Sequence, residues 1–198
     1  MIRVLLSGGM DSASCLAWAT RQRLPVGRSY DSDLDVVDAV GFHYGQRHAV
    51  QELEAARKIA SACRVRFRVQ TLNIDGASSL TGEGELNGSS VVVPRRNFKM
   101  LQAAALMQPF PDALVVGACA DDAEEFADCR RPTLDRIQQQ IGVPVWSPLV
   151  NLCKRDAVAF GKRHHATNLI VMSWSCYAGG AAPCGECDAC LARERGLS

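Results

Sequence analysis

The chain opens on IRVLLSG (2–8), apolar at nearly every position, and runs without a break into GMDSAS. Nothing else in the sequence restricts the fold as much. A strand without polar alternation must be covered on both faces, which is the situation of an interior strand in a parallel sheet. The glycines after it turn the chain into DSASCLAWATRQR (11–23). That segment carries apolar residues at helical spacing behind Asp11 and Ser12, both good N-terminal helix residues.

The same alternation repeats downstream. LDVVDAVGFHYG (34–45) reads as a strand, and AVQELEAARKIASAC (49–63) as a helix with Leu53, Ala56, Ile59 and Ala60 on one face. VRFRVQTLNI (65–74) reads as a third strand, and the arginines of CRVRFR (63–68) are expected to alternate outward. FKMLQAAALMQPF (98–110), TLDRIQQQIG (133–142) and CKRDAVAFGKRHH (153–165) read as helices, DALVVGAC (112–119) as a strand, and NLIVMSW (168–174) as a last apolar run. Residues 75–89, with four glycines and few large apolar groups, read as a mobile loop suited to a lid, and 120–132 as a second loop.

Strand and helix alternating through short links define an α/β fold: a parallel, doubly wound sheet with helices on both faces. A chain of 198 residues suits one such domain, expected over 1–173, with a cysteine-bearing segment at 174–198 packed on it. Ligands of such sheets gather at the carboxyl ends of the strands. The loops at 7–12, 43–48, 93–97 and 117–130 each follow a strand or extended run, so they share one edge.

Lys and Arg number 22 against 21 Asp and Glu, a net charge of +1, which argues against broad non-specific nucleic-acid binding. Mean hydropathy is −0.03, no apolar run is long enough to span a bilayer, and MIRVLLSGG is too short for a signal peptide. A cytoplasmic location is expected.

Nine cysteines are many for such a protein, and Cys176, Cys184, Cys187 and Cys190 fall within the last 23 residues as C-x7-C-x2-C-x2-C. Paired thiolates at CxxC spacing can point at one tetrahedral ion, with Gly185 supplying the turn. An all-cysteine set leaves no open position for chemistry, so a structural Zn²⁺ is the first reading. A three-cysteine site or an iron–sulfur cluster is the second. Cys15, Cys63, Cys119 and Cys153 read as small core residues, whereas Cys129 sits in a polar loop.

The opening turn is an anion site on its own chemistry. Gly8 and Gly9 let the backbone approach a ligand, Ser7 and Ser12 add hydroxyls, and the following helix directs its N–H groups and dipole at the loop. No lysine closes it as in GxxxxGK[ST], and it is not GxGxxG. SGGxDS resembles the loop of the ATP pyrophosphatase (PP-loop) superfamily, which cleaves ATP between the α and β phosphates. The resemblance implies that Asp11 helps hold Mg²⁺ while Leu6, Ser7, Gly8, Gly9, Met10, Ser12, Ala13 and Cys15 complete the nucleotide site.

A more selective resemblance spans nearly the whole chain. LSGGMDSASCL (6–16), YGQRH with ELEAARKIA (44–60), VPRRN (93–97), DCR (128–130), SPLVNLCKRD (147–156) and WSCYAGGAAPCGECDACLAR (174–193) occur in that order. Together they are similar to the 7-cyano-7-deazaguanine synthases of queuosine precursor biosynthesis. The resemblance implies an ATP-dependent C–N ligase. It would adenylate 7-carboxy-7-deazaguanine, form the amide with ammonia, then adenylate the amide and expel AMP to leave a nitrile. It also implies a homodimer, and catalytic roles for Asp11, Arg47, His48, Arg96 and Lys154. Tyr44, Gln46, Arg47, His48, Arg96, Asn97, Asp122, Asp128 and Arg130 would contact the substrate.

The chemistry of these side chains agrees with those roles. Arg47, His48 and Arg96 are cationic or planar donors for a carboxylate or phosphate, and Lys154 suits an α-phosphate. Asp122, Asp128 and Asn97 offer acceptors and donors for a guanine-like base. Three departures from the family pattern fall on the substrate side. Arg95 stands where glycine is usual, which predicts a differently built turn. DAEEFADCR lacks the usual Tyr, Gly and Pro, and the 75–89 insert is short. Those departures leave open an enzyme that stops at the amide or joins the acyl group to an amine of a protein or nucleic acid. Two other readings are a tRNA-thiolating enzyme using Cys119 or Cys129, and a catalytically silent subunit.

Overall fold

Burial on both faces holds for the opening run: β1 (Ile2–Leu5) is buried at every position and lies in the middle of its sheet. The computed structural model describes residues 1–22, 36–74 and 78–198. Residue 23 of the first expected helix, 34–35 of the second expected strand and 75–77 of the expected lid lie outside the described residues. β2 (Val37–His43), β3 (Arg66–Thr71), β4 (Ala113–Val115) and β5 (Val145–Trp146) join β1 in one five-stranded sheet ordered β3-β2-β1-β4-β5. Every pairing is parallel, with Ile2 opposite both Val37 and Ala113. The strand order reverses between β1 and β4, and the crevice at their carboxyl ends is where such sheets bind ligands.

Helices cover both faces. Ile2 and Val4 point into one core with α1 (Met10–Ala19), α2 (Ala49–Ala62), α6 (Lys154–Arg163) and α7 (Thr167–Met172). Leu5, Val40 and Leu114 point into a second core with α3 (Arg96–Leu106) and α5 (Arg131–Ile141). Each fully buried Leu or Ile contributes about 1.5–3 kcal/mol relative to exposure, so the sheet's continuous apolar strands are what bind the two layers. α8 (Asp188–Leu197) packs on α6 and ends the chain.

Arg3 is the polar exception inside β1 and is fully buried. Its guanidinium donates to both carboxylate oxygens of Asp38 (2.9 and 2.8 Å) and to the carbonyls of Ala104, Met107 and Pro109 (2.8–2.9 Å). With its charge paired and its donors used, the buried cation ties β1 and β2 to the end of α3.

Several expectations need correction. The run 168–174 is mostly helix α7, and β5, two residues long, carries no strand signal of its own. The expected loop 120–132 holds a short helix, α4 (Ala120–Glu125), and a 3-10 turn at Ala127–Cys129. The described part of the expected lid is pinned. Leu80 is fully buried, its carbonyl accepts from Arg47 N (2.7 Å), and Gly88 N donates to Asp188 Oδ2 (2.5 Å). Arg68 does not simply alternate outward, because it donates to Asp38 Oδ2 (2.7 Å) and Gln108 O (2.6 Å).

Candidate functional site

The loop between β1 and α1 is clamped from three sides. Gly8 has φ +92°, and a Cβ there would lie 2.3 Å from Glu52 O and 2.9 Å from Ala56 N, so the loop lies directly against the α2 backbone. Trp174 N donates to Gly8 O (2.9 Å). Gly117, just after β4, would place a Cβ 2.8 Å from Ser12 N, so only glycine lets this strand end reach the start of α1. The Ser7 and Ser12 hydroxyls are 3.1 Å apart, and Ser12 Oγ donates to Gly9 O (3.0 Å). Gly9 is the N-cap and has no side chain, so the first N–H groups of α1 stay available to an anion.

Lys154, at the start of α6, is the electrostatic centre. Its side chain is 6% exposed and its Nζ donates to Asp11 Oδ2 (2.7 Å) and Asp122 Oδ1 (3.1 Å). Burial works against its charge, but the two carboxylates outweigh it and hold the ammonium more firmly protonated than usual. Burial pushes Asp11 up, with Lys154 opposing and Asp122 adding to the rise. Asp11 Oδ1 is shielded from solvent and accepts no hydrogen bond from the described residues. Oxygens of Asp11 and Asp122 and the Cys119 sulfur lie within 4.8 Å of one another. Cys119 is pushed up to about 12, first by burial, and its thiol donates to Asp122 Oδ2 (3.1 Å). Two carboxylates and a protonated thiol fit a hard, oxygen-seeking cation such as Mg²⁺, bound through the oxygens alone.

A cavity of about 240 Å³ runs from this centre along the carboxyl ends of β1, β2 and β4. Leu6, Ser7, Gly9, Met10, Asp11 and Ser12 line it, with Lys154 and Asp122 in contact through the Lys154 ammonium that also holds Asp11. Tyr44, His48, Arg96 and Asn97 are on the same wall. Gly8, Ala13 and Cys15 lie behind the loop rather than on the cavity wall.

Four candidates from the substrate side also fall outside the lining. Gln46 is buried and uses its amide within its own loop: Oε1 accepts from Tyr44 N (2.8 Å) while Nε2 donates to Phe42 O and Glu52 Oε2 (both 2.9 Å). Arg47 is exposed and donates to Gly84 O (3.3 Å). Asp128 Oδ2 accepts from Asn97 N (3.0 Å) at the start of α3. Arg130 is exposed and donates to Ala123 O (2.9 Å).

His48 is no cation here. It is 4% exposed and burial pushes it down to about 4, leaving a neutral imidazole 5.4 Å from the Tyr177 ring. Arg96 keeps its charge. Burial opposes it, and the nearby Asp128 carboxylate, with the Tyr44 hydroxyl oxygen that accepts from it, favours the charged form. Its guanidinium reaches Tyr44 OH at 3.5 Å and stands 5.8 Å from the Phe126 ring centre. The turn at Arg95 is not rebuilt to avoid the left-handed region: Arg95 adopts φ +59°, a conformation glycine enters without cost.

Sequence reasoning passed over Glu52, Tyr177 and Arg193, all on the cavity wall. The spacing of His48 and Glu52, four apart at the start of a helix, was the available signal. Cys129 also lines the cavity. Burial pushes its thiol up to about 12, so neither it nor Cys119 offers a thiolate near neutral pH.

The C-terminal sulfurs of Cys176, Cys184, Cys187 and Cys190 all lie within 4.8 Å of one another, at 3.6 Å for Cys176–Cys184 and 4.0 Å for Cys184–Cys190. A tetrahedral ion with metal–sulfur bonds of about 2.3 Å separates its ligands by about 3.8 Å. The cluster is therefore shaped for one ion, and zinc fits it. Backbone N–H groups of Glu186 and Cys187 pull Cys184 down to about 7, toward the thiolate. Ala178 N and Cys184 N both donate to Cys176 Sγ (3.4 and 3.3 Å).

The family model of queuosine biosynthesis protein QueC matches residues 2–198. The 7-cyano-7-deazaguanine synthase of Chromobacterium violaceum is 35% identical over 215 residues, covering 98% of this chain and 88% of the relative. The enzyme of the same name from Synechococcus elongatus is 38% identical over 224 residues, covering 98% and 89%. Among solved structures, the U34-tRNA thiolase NcsA from Methanococcus maripaludis, with its 4Fe-4S cluster, superimposes with a TM-score of 0.54 at 15% identity. That match covers 98% of this chain and 64% of the thiolase. A predicted tRNA methyltransferase subunit from Methanocaldococcus jannaschii gives 0.53 at 16% identity over 81% and 73%. At such identities these likenesses show the fold alone.

Proposed function

The chain belongs to the family of queuosine biosynthesis protein QueC, and on that premise we propose that it is a 7-cyano-7-deazaguanine synthase. ATP activates the carboxylate of 7-carboxy-7-deazaguanine, ammonia converts the adenylate to the amide, and a second ATP activates the amide oxygen so that AMP can leave. The observation that supports this reading is one cavity joining the SGGMDS loop, the Asp11–Lys154–Asp122 cluster and a wall of Tyr44, Arg96 and Asn97.

In this reading the N–H groups at the start of α1 and the Ser7 and Ser12 hydroxyls hold the pyrophosphate. Lys154 neutralises charge at the α-phosphate, and Arg96 orients the carboxylate. Asp11 and Asp122 would hold Mg²⁺, which when bound offsets phosphate charge. Tyr44 and Asn97 meet the heterocycle, with His48 as a neutral hydrogen-bonding group. The segment 174–198 is a zinc-bearing unit on a catalytic body formed by 1–173, and it supplies Trp174, Ser175 and Tyr177 to the cavity wall.

Purified protein with 7-carboxy-7-deazaguanine, ATP, Mg²⁺ and ammonium tests the reading by mass spectrometry. The expected products are the nitrile, AMP and pyrophosphate. Amide without nitrile at long times refutes the nitrile assignment, and AMP formation that does not depend on the acid refutes the substrate.

A further inference from the structure

Glu52 faces the cavity from the first turn of α2, with a side chain 17% exposed. Its Oε2 accepts from Gln46 Nε2 (2.9 Å) and lies 3.6 Å from His48 Nε2. The Gln46 amide cannot turn away, because its other atoms are engaged by Tyr44 N and Phe42 O. The Glu52 backbone is equally confined, since its carbonyl abuts Gly8 of the ATP loop. A carboxylate is thus held rigidly between the nucleotide loop and the Tyr44–Arg96 wall.

The proposed reaction needs a proton acceptor, and only in some of its steps. Adenylation of the acid needs none, because the attacking oxygen is already anionic. When ammonia attacks the acyl carbon, a C–N bond forms, the C–O bond to AMP breaks, and one N–H proton leaves to give the amide. When the amide oxygen attacks the α-phosphorus of a second ATP, pyrophosphate departs and a second N–H proton leaves. In the last step the remaining N–H proton leaves, and the C–O electron pair goes to AMP as the nitrile forms.

We propose that Glu52 is the general base that takes these protons from the substrate nitrogen; the assignment rests on the nitrile-forming reading and names its missing catalytic group. The other titratable groups of the wall are poorly suited. Asp11 and Asp122 are tied to Lys154, while Lys154 and Arg96 are cations. Burial pushes Tyr44, Tyr177 and Cys129 up, so they keep their protons. His48, one turn before Glu52, is pushed down to about 4 and is a weak base. Glu52 is raised to about 7 by burial, with the Gln46 hydrogen bond and Arg96 on α3 opposing. A base poised near neutrality both accepts a proton and returns it to solvent.

The test compares the wild-type protein with Glu52→Gln and Glu52→Asp. Acid-dependent exchange of pyrophosphate into ATP, measured without ammonia, reports adenylation alone. Amide and nitrile formation at constant free ammonia report the nitrogen steps. Glu52→Gln should retain exchange while its nitrogen steps fall by about 10²–10⁴-fold. Wild-type nitrogen steps should rise with pH through an inflection near 7 that Glu52→Gln lacks. Glu52→Asp should recover part of the rate. Wild-type amide formation by Glu52→Gln, or an unchanged inflection, overturns the assignment. Loss of exchange together with the nitrogen steps, unrelieved by Glu52→Asp, overturns it in favour of a role in holding the loop. Absence of acid-dependent exchange in the wild-type protein sinks the underlying functional reading instead.

Discussion

Replacing Lys154 by Met removes the only cation in hydrogen-bonding contact with both Asp11 and Asp122 among the described residues. The hydrocarbon stem is largely kept, so packing against Gly196 changes little and the loss is electrostatic. What remains is two carboxylates that had shared one ammonium at 2.7 and 3.1 Å. Removing one partner of a buried ion pair costs about 3–5 kcal/mol. At about 2–4 °C per kcal/mol for a chain of this size, the melting temperature should fall by about 10 °C. The deficit should depend on pH. Burial already raises the Asp11 pKa above its ordinary 3.8, and loss of Lys154 raises it further. A carboxyl raised in the folded state takes up protons on folding. Its stabilising contribution is complete below 3.8 and disappears as pH rises through the folded pKa. The variant should therefore be weakest in alkali and partly recover in acid. The wild-type ammonium, with its own pKa raised, stays charged throughout. Urea unfolding at about pH 8 and pH 5 reads this directly. Equal stability of variant and wild type at the higher pH would refute the reasoning, as would a deficit that does not change with pH. Asp11→Asn combined with Lys154→Met should recover stability, with a coupling of at least about 1 kcal/mol; strict additivity would deny the pairing.

Cys187→Ser should leave the protein with less than about one metal per chain, measured by metal analysis after dialysis, and chelator should then no longer lower its melting temperature. Gly8→Ala puts a Cβ 2.3 Å from Glu52 O at φ +92° and should cost at least about 2 kcal/mol in urea unfolding, with ATP binding lost. His48 and Glu52 shift in opposite directions, to about 4 and about 7. Lowering pH through that window costs stability by charging buried His48 and restores it by neutralising Glu52, so the wild-type profile should be nearly flat. Glu52→Gln should unmask a loss of about 3 kcal/mol between pH 7 and pH 4, and a flat profile in that variant would contradict the His48 environment.

Much of the architecture was legible because it is written in local patterns. The unalternating run 2–6 implied a strand covered on both sides, and it is the central strand. The sheet's parallel order followed from strands spaced by helices. The cysteine spacing implied convergence on one ion, since short loops between cysteines leave few other arrangements. SGGMDS could be placed at a strand end because it follows an apolar run and precedes a helix pattern.

The arrangement of the site was less legible, because it depends on which way each side chain faces. Arg47 and His48 are neighbours in YGQRH, yet one meets solvent and the other is buried beside Tyr177. Asp128 looked free for a ligand until the fold placed the start of α3 against it. Glu52 looked like an ordinary helix-surface glutamate, and only the approach of Gly8 to the α2 backbone put it on the cavity wall. Gly117 read as part of a strand until α1 arrived within contact of it. Backbone periodicity and short-range turns, the properties that named the elements and their order, act within a few residues and are carried by the sequence alone. Burial, charge pairing and shifted pKa values arise between residues far apart in the chain, and for Asp11, Lys154, Asp122 and Glu52 only the packed sheet brings those partners together.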